Sequence, residues 1–274
     1  MGSFMSNEFV FPLEDHDHLW ELFHENSKIG RHSSTLSNEE ILEGMSEFHE
    51  ALAYEGYPTV DLPEHCLNIP ATLSSVILTR ASTRDLLPQP ISLDQLNVLL
   101  QYGYGLTRKN SASPLPAFFR TVPSGGGLYP LEIFAYVCRA QDFEAGLYHF
   151  NPPKRQLNRL RDDSLDLRER VASALVYPQM VHGASLVIFL TGLFERSTFK
   201  YGERGYRFIL LEAGHVAQNI NLTANALGLG GVNLGGFFDR EIDALLDLDG
   251  VTHSTLYILA IGGIANSSGN DDSQ

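Results

Sequence analysis

The sequence is poor in cysteine, in positive charge and in long apolar runs, and each shortage disfavours a class of protein. The 274 residues include two cysteines, Cys66 and Cys138, in no CxxC pattern, so we expect no disulfide framework and favour a reducing cytoplasm. Lys and Arg number 19 against 33 Asp and Glu, a formal net charge of −14, which argues against nucleic acid and anionic membrane surfaces as partners. No apolar run approaches the ~18 residues of a membrane span.

Motifs of several common enzymes are also absent. The chain has no GxSxG, no HExxH and no GxxxxGK[ST], which disfavours a serine hydrolase, a zinc protease and a P-loop enzyme. "EDHDH" (14–18) spaces its histidines two apart, so they share no helical face and predict a solvated helix start, not a metal site. We interpret His149 and His215 as core histidines.

The readable elements predict an α+β protein. Residues 1–70 are expected to form a helical extension with two amphipathic helices, followed by a domain over 71–264 and a disordered tail over 265–274. "ISLDQLNVLLQYG" (91–103) predicts a helix with a capping box and a stop at Gly103. A long loop is expected from Gly105 to Gly127, and strands at 131–138, 146–150, 185–192 and 255–262, of which two are near-continuous apolar runs typical of a sheet covered on both faces.

A helix of about twenty residues is predicted from Tyr206 to Leu227, closed by Gly228. Ile209, Ala213 and Val216 begin a helical apolar stripe, and the other faces are also largely apolar. Such a helix should be buried all round, which is natural at the centre of a dimer.

Three segments contain residues suited to ligand binding. Arg80, Ser82 and Arg84 can converge on one phosphate, although exposed arginines flanking a turn are an alternative. "PSGGG" (Pro123, Ser124, Gly125, Gly126, Gly127) leaves backbone groups bare for a flat ligand, or is a flexible turn. "GLGGVNLGG" (228–236) closes a helix, where a Rossmann glycine loop would open one; it is either a helix cap running into a loop or a ligand contact.

A fourth segment, "FKYGERGYR" (199–207), places Lys200 beside Tyr201, with Arg204 and Arg207 close behind. An amine and a phenol side by side can carry protons, and nearby positive charge favours the neutral, basic form of a lysine. A surface pair without function is the alternative from these residues alone.

Together these segments resemble the FMN-dependent nitroreductase superfamily. Within it the chain is most similar to the SagB-type dehydrogenases, and in length and in its Lys-Tyr pair to the azoline dehydrogenases of microcin B-type synthetases. Six segments match in order: "RASTR" (80–84), "PSGGGLYPLE" (123–132), "GLYHF" (146–150), "FKYGERGYR" (199–207), "LEAGHVAQN" (211–219) and "ALGLGG" (226–231).

The resemblance implies a homodimer of nitroreductase-like fold, with a mostly antiparallel sheet flanked by helices and FMN in the subunit interface. Arg80, Ser82 and Arg84 would hold the phosphate and ribityl chain. The backbone of residues 123–127 would face the flavin ring, from the partner subunit, and Gly230 and Gly231 would lie near the cofactor. The chain departs from the family in having no Arg or Lys after Ile261, where nitroreductases commonly end with a basic phosphate contact.

The function implied is oxidation of peptide thiazolines and oxazolines to thiazoles and oxazoles, with Lys200 and Tyr201 as catalytic residues and cyclodehydratase subunits of a synthetase as partners. Two alternatives stay open. One is an NAD(P)H-dependent nitro or quinone reductase, which would oxidise NAD(P)H with small electrophiles. The other is a structural subunit of the synthetase that binds flavin without catalysis.

Overall fold

The structure is a computed structural model that describes residues 18–31, 36–48, 52–111 and 118–265. The helices of these ranges are α1 Leu19–Asn26, α2 Asn38–Phe48, α3 Leu73–Thr79, α4 Leu93–Tyr104, α5 Leu165–Ser173, α6 Gln179–Gly183, α7 Glu195–Tyr201, α8 Glu203–Ala226 and α9 Asp239–Leu245. The strands are β1 Thr59–Asp61, β2 Leu106–Lys109, β3 Phe118–Arg120, β4 Leu131–Val137, β5 Gly146–Asn151, β6 Gln156–Asp162, β7 Leu186–Leu193, β8 Gly230–Leu234 and β9 His253–Gly262. Residues 14–17 of the "EDHDH" stretch and the predicted tail beyond Ala265 lie outside the described residues.

Seven strands form one sheet in the order β1-β6-β5-β4-β7-β9-β8, in which every neighbouring pair is antiparallel. Helices flank this sheet, so the predicted α+β class with a mostly antiparallel sheet is confirmed. The four predicted strands correspond to β4, β5, β7 and β9. Three further strands of the sheet, β1, β6 and β8, were not predicted. Strand β1 lies within residues 1–70, which were expected to be a helical extension, and β8 lies inside the glycine-rich segment interpreted as a loop.

The sheet is buried on both faces. Every residue of β4 is buried, and successive side chains enter two separate core clusters: Ile133 and Ala135 face α4 and α8, whereas Phe134 and Tyr136 face α5, α6 and α9. Because neither face of the central strands meets water, these strands read as continuous apolar runs and not as alternating ones. Burial of each such side chain stabilises the fold by roughly 1.5–3 kcal/mol.

Helix α4 begins with the predicted capping box. The Ser92 hydroxyl accepts a hydrogen bond from Gln95 N, and the Gln95 side chain accepts one from Ser92 N. The predicted stop at Gly103 is wrong, since the helix continues to Tyr104 and is capped by Gly105. The long loop that follows is not irregular throughout, because β2 and β3 pair within it as a hairpin.

Helix α8 is the longest described helix, with 24 residues and a length of about 36 Å at 1.5 Å per residue. Ile209, Val216 and Ile220 are fully buried, but the prediction that all faces are buried does not hold within one protomer. Leu210 and Leu211 are exposed, and the exposed stripe continues through Gly214, His215 and Gln218. The expectation of a core histidine at His215 is therefore wrong, because the periodic pattern identifies the inner face of a helix without showing what covers the outer one.

The amino-terminal helices pack near the start of α8. Phe23 of α1 meets the Tyr206 ring edge-on at 5.5 Å between centroids, and Arg207 Nη2 donates a hydrogen bond to His24 O at 2.5 Å. Gly44 of α2 lies against the Phe199 ring of α7, where a Cβ would come within 2.5 Å of that ring. These contacts place the extension against the segment that contains Lys200 and Tyr201. No helix in the described part of the chain is both long and apolar enough to cross a membrane.

Candidate functional site

Lys200 and Tyr201 contact the glycine segment. Gly126 and Gly127 have φ of +66° and +70°, a left-handed conformation that favours glycine. A Cβ on Gly126 would lie 2.5 Å from Tyr201 Oη and 3.0 Å from Lys200 Nζ. The structure therefore places the glycine segment next to the Lys200–Tyr201 segment, a contact that the sequence alone does not show.

Aromatic packing fixes this arrangement. The Tyr201 ring meets the Phe208 ring edge-on at 5.0 Å, and a Cβ on Gly125 would lie 2.9 Å from the Phe208 ring. Lys200 Nζ lies 5.3 Å from the centre of the Tyr201 ring. Lys200 and Tyr201 are half-buried, whereas Pro123 and Gly126 are exposed, so the glycine backbone has an outer side that a flat ligand can approach.

The bend between α7 and α8 sets the direction of the pair. Gly202, with φ +52°, separates the two helices, and Gly205 approaches the Ser197 backbone so closely that a Cβ would come within 2.8 Å. The two arginines noted in the sequence differ in their surroundings. Arg207 is held by α1, as described above, while Arg204 Nε is buried without a hydrogen-bond partner in the described part of the chain.

A buried salt bridge holds α7 against the sheet. Arg196 Nη1 donates to Glu132 Oε1 at 2.6 Å, and His149 Nε2 lies 2.7 Å from Glu132 Oε2. All three side chains are buried. Burial raises the pKa of Glu132, but the Arg196 charge and the His149 hydrogen bond outweigh burial and hold this pKa at about 2. His149 is thus a satisfied core histidine, as predicted, and Arg196 positions the helix one turn before Lys200.

A second buried carboxyl, that of Glu212, lies beneath the glycine segment. Tyr104 Oη donates to Glu212 Oε1 at 2.7 Å and accepts a hydrogen bond from Leu131 N. Glu212 Oε2 is buried and has no hydrogen-bond partner among the described residues. Burial raises the pKa of Glu212 to about 7, opposed by the Ser124 and Tyr104 hydroxyls and by Arg120. The same Ser124 hydroxyl accepts a hydrogen bond from Tyr129 N at 2.9 Å. Through Ser124, Glu212 therefore adjoins the turn that presents the bare glycine backbone.

The predicted phosphate-binding segment, residues 80–84, contacts Gly230 and Gly231 at the other end of α8. Thr83 N donates to Gly231 O at 2.9 Å, and Ser82 forms an isolated parallel bridge with Gly231. A Cβ on Gly230 would lie 2.9 Å from Thr83 Cβ. A cavity of about 360 Å³ adjoins this junction, lined among others by Arg80, Thr83, Asp85, Asn221, Asn225 and Gly231.

The three predicted phosphate ligands are not equivalent here. Arg80 is half-buried and lines the cavity, whereas Ser82 and Arg84 are exposed and do not line it. Neither Arg80 nor Arg84 forms a salt bridge with a residue that the structure describes. At the carboxyl end of the chain, Ile264 and Ala265 line this cavity, in line with the absence of a basic residue there.

Sequence reasoning missed Glu132, Arg196 and Glu212. Glu132 is the second residue of the apolar strand β4, and Glu212 directly precedes the buried Ala213 in α8. A charge at a core-facing position has to be paired or to change its protonation, and this signal could have identified both carboxyls from the sequence.

Comparisons with known proteins support this fold. The family model described as "Nitroreductase family" matches residues 77–263. The nitroreductase homologue MJ1384 of Methanocaldococcus jannaschii is 35% identical over 176 residues, covering 64% of this chain and 84% of that protein. The trifolitoxin-processing protein TfxB of Rhizobium leguminosarum bv. trifolii is 29% identical over 219 residues, covering 77% of this chain and 57% of TfxB. The microcin B17-processing protein McbC of Escherichia coli is 30% identical over 168 residues, covering 59% of each.

Two solved structures share the fold. A nitroreductase-like protein of Ralstonia eutropha has a TM-score of 0.64 at 26% identity, covering 78% of this chain and 93% of its own. A chain of the E. coli microcin synthetase McbBCD complex, solved with truncated pro-MccB17 bound, has a TM-score of 0.57 at 20% identity. The match covers 90% of the present chain and 92% of the chain in that complex.

A mostly antiparallel sheet covered by helices on both faces is the fold of a nitroreductase-like protein. Because the family model matches well over half of the sequence, the chain belongs to the nitroreductase family. Within the superfamily it is a SagB-type member related to the microcin and trifolitoxin processing proteins. Members of this family bind flavin. The matched region spans less than two thirds of the length of TfxB and of McbC.

Proposed function

We propose that this protein is an FMN-dependent dehydrogenase that oxidises thiazolines and oxazolines in a ribosomally made peptide to thiazoles and oxazoles. The observation that carries the proposal is the contact of Lys200 and Tyr201 with the left-handed turn at Gly126. A basic amine and a phenol lie there at the edge of the backbone on which a flat cofactor would rest.

The reaction removes two hydrogens from the ring, one as a hydride and one as a proton. Bound FMN supplies the hydride acceptor. In our proposal Lys200 and Tyr201 take up the ring proton, with Tyr201 Oη, which meets the same Gly126 position, as the relay. In this proposal the Arg196–Glu132 salt bridge positions α7 on the sheet, and Glu212 positions the glycine turn. Together they orient the Lys200 amine toward the substrate ring.

The residues present fit FMN. The glycine backbone of residues 125–127, exposed at Gly126, suits the flat ring, and Arg80, Ser82 and Arg84 beside Gly230 and Gly231 suit the phosphate and ribityl chain. These two sets lie at opposite ends of α8. Phe208, which packs against Gly125, and Asn221, which lines the cavity beside Gly231, are thirteen residues apart, about 20 Å along the helix.

A two-fold dimer would join the two sets. Antiparallel pairing of the exposed α8 stripe, with Leu210 and Leu211 at its amino-terminal end, would place the glycine turn of one protomer near the Arg80–Arg84 segment of its partner. We therefore include a homodimer with FMN in the interface in the proposal.

The proposed partners are a modified precursor peptide and the cyclodehydratase subunits of a synthetase. Support comes from the relation to two peptide-processing proteins and from the shared fold with a chain of the microcin synthetase complex. Both cysteines are free thiols, which suits the cytoplasm, where we propose that the protein acts.

The test is to incubate the purified, FMN-loaded protein with a synthetic peptide containing one thiazoline and to follow its mass. Loss of about 2 Da, the two hydrogens that leave in the reaction, without added NAD(P)H is expected. Rapid NAD(P)H oxidation with nitroaromatics or quinones, together with an unchanged peptide, would instead favour the general reductase that the relation to MJ1384 also allows. A protein that binds FMN and turns over neither substrate would favour the structural subunit.

A further inference from the structure

A second and larger cavity, of about 660 Å³, lies beside the candidate catalytic pair. We call it the side cleft. One wall belongs to the sheet and to the β2–β3 hairpin, and the other is formed by the segment from Leu52 to Thr59. That segment precedes residues 77–263, the part that matches the nitroreductase family, so the outer wall of the side cleft lies outside the matched part of the chain. Its volume falls within the range of ligand-binding cavities.

The outer wall is packed against the sheet. The Tyr54 ring lies 4.7 Å from the buried His149 ring, and Tyr57 meets Tyr54 edge-on at 5.6 Å. Strand β1, which follows directly, pairs with β6 through three residues. The wall is therefore held by a buried aromatic contact and by backbone hydrogen bonds, as a binding surface requires.

The lining of the side cleft adjoins the candidate active site along the chain. Leu128 and Tyr129, which line it, follow the glycine turn directly. Arg196, which also lines it, precedes Lys200 by one helical turn. The side cleft is therefore lined by residues that follow the glycine turn directly or precede Lys200 by one helical turn.

The chemistry of the lining suits a peptide. Asn151, Gln156 and Asn158 contribute carboxamides, which both donate and accept hydrogen bonds as peptide groups do. Tyr54, Tyr57, Phe118 and Tyr129 contribute rings, on which flat five-membered heterocycles can stack.

The charges of the lining do not favour a polyanion. Arg196 is paired with Glu132, and the Arg120 guanidinium is stacked on the Tyr104 ring at 4.1 Å. Lys154 and Glu55, also in the lining, have opposite signs. A nicotinamide dinucleotide, which carries a pyrophosphate, would need a stronger positive field.

We propose that the side cleft binds the part of the substrate peptide that flanks the ring being oxidised, including azole rings formed earlier. This inference rests on the proposed function. It assigns to Tyr57 a role in binding the peptide and none in the oxidation of the ring itself.

The test measures peptide binding apart from turnover. Binding of a fluorescein-labelled peptide with one thiazole flanked by glycines and serines is followed by fluorescence anisotropy on the FMN-loaded protein. Tyr57→Ala should weaken binding about tenfold, the scale of one lost aromatic contact. The matched control is Tyr177→Ala, because Tyr177 is 44% exposed against 46% for Tyr57 and does not line the side cleft. Equal affinity of the two variants, or no binding to the wild type, would overturn the proposal.

Two further measurements separate this proposal from the proposed function. With a capped single thiazoline as substrate, Tyr57→Ala should retain wild-type kcat/KM, whereas with the longer peptide its KM should rise about tenfold. If no thiazoline is oxidised but binding still depends on Tyr57, the proposed function fails and the side cleft stands. If NADH displaces the labelled peptide competitively and loses affinity in Tyr57→Ala, the side cleft is a dinucleotide site and the inference is wrong.

Discussion

Replacing Glu212 by Gln should change how the stability of the protein depends on pH. Glu212 is 2% exposed, and burial raises its pKa from 4.5 to about 7. A glutamine keeps an oxygen that can accept the hydrogen bond from Tyr104 Oη but never ionises. Any cost of its buried amide is independent of pH, so the informative quantity is the difference between two pH values.

The sign follows from linkage. Below pH 4.5 the carboxyl is protonated in the folded and the unfolded state, and its ionisation contributes nothing. As the pH rises from 4.5 to 7, the unfolded state loses this proton first, so the wild type loses stability across this window and the loss is complete above pH 7. At 1.36 kcal/mol per pKa unit, the loss is on the order of 3 kcal/mol.

Urea denaturation of the purified wild type and of Glu212→Gln at pH 4.5 and pH 8 would measure this difference. The variant should gain on the order of 3 kcal/mol relative to the wild type between the two pH values, a shift of roughly 5–10 °C if thermal melts are used. The control is Glu169→Gln on the exposed surface of α5, which should follow the wild type. A variant with wild-type pH dependence would refute the idea that Glu212 is neutral in the folded protein at pH 6.

Two further predictions concern the cofactor and the dimer. Arg84→Ala should weaken FMN binding by about 1.5–3 kcal/mol, the scale of a charge-assisted phosphate contact; FMN titration checks this, with exposed Arg170→Ala as control, and equal affinities would show that Arg84 is misassigned. Leu211→Glu places a charge on a residue that is 61% exposed in the protomer and should yield monomers with little FMN in size-exclusion chromatography. Leu165→Glu, 77% exposed on α5, should stay dimeric, and a dimeric Leu211→Glu would move the interface elsewhere.

The parts of the fold that depend on local sequence could be predicted. The capping box of Ser92 and Gln95 lies within four residues, and unbroken apolar runs predict the central strands. Strand β8 could not be predicted in this way, because Gly230 and Gly231 have no strand propensity of their own and are held in the sheet by pairing with β9.

The candidate site was predictable as a set of segments but not as an arrangement. Lys200 and Tyr201 were predicted from their residue types and from the family resemblance, yet their contact with Gly126 joins positions more than seventy residues apart. Tyr104, Ser124 and Glu212 converge from three separate elements, and no periodicity within one segment reports such a cluster. The apolar pattern of α8 predicts burial on every face, but it does not show which face is covered by this chain and which would need a partner.

The most direct test of the central claim is Lys200→Ala in the thiazoline assay, with Lys109→Ala, an exposed lysine of β2, as its control. The account predicts that Lys200→Ala keeps its fold, its dimer and full FMN occupancy while oxidation falls by roughly 10² or more, so that the peptide accumulates with its mass about 2 Da higher per ring. Tyr201→Phe, which removes only the hydroxyl, should also slow oxidation if the phenol relays the proton. Oxidation by Lys200→Ala at the wild-type rate, or loss of FMN from that variant, would contradict the account.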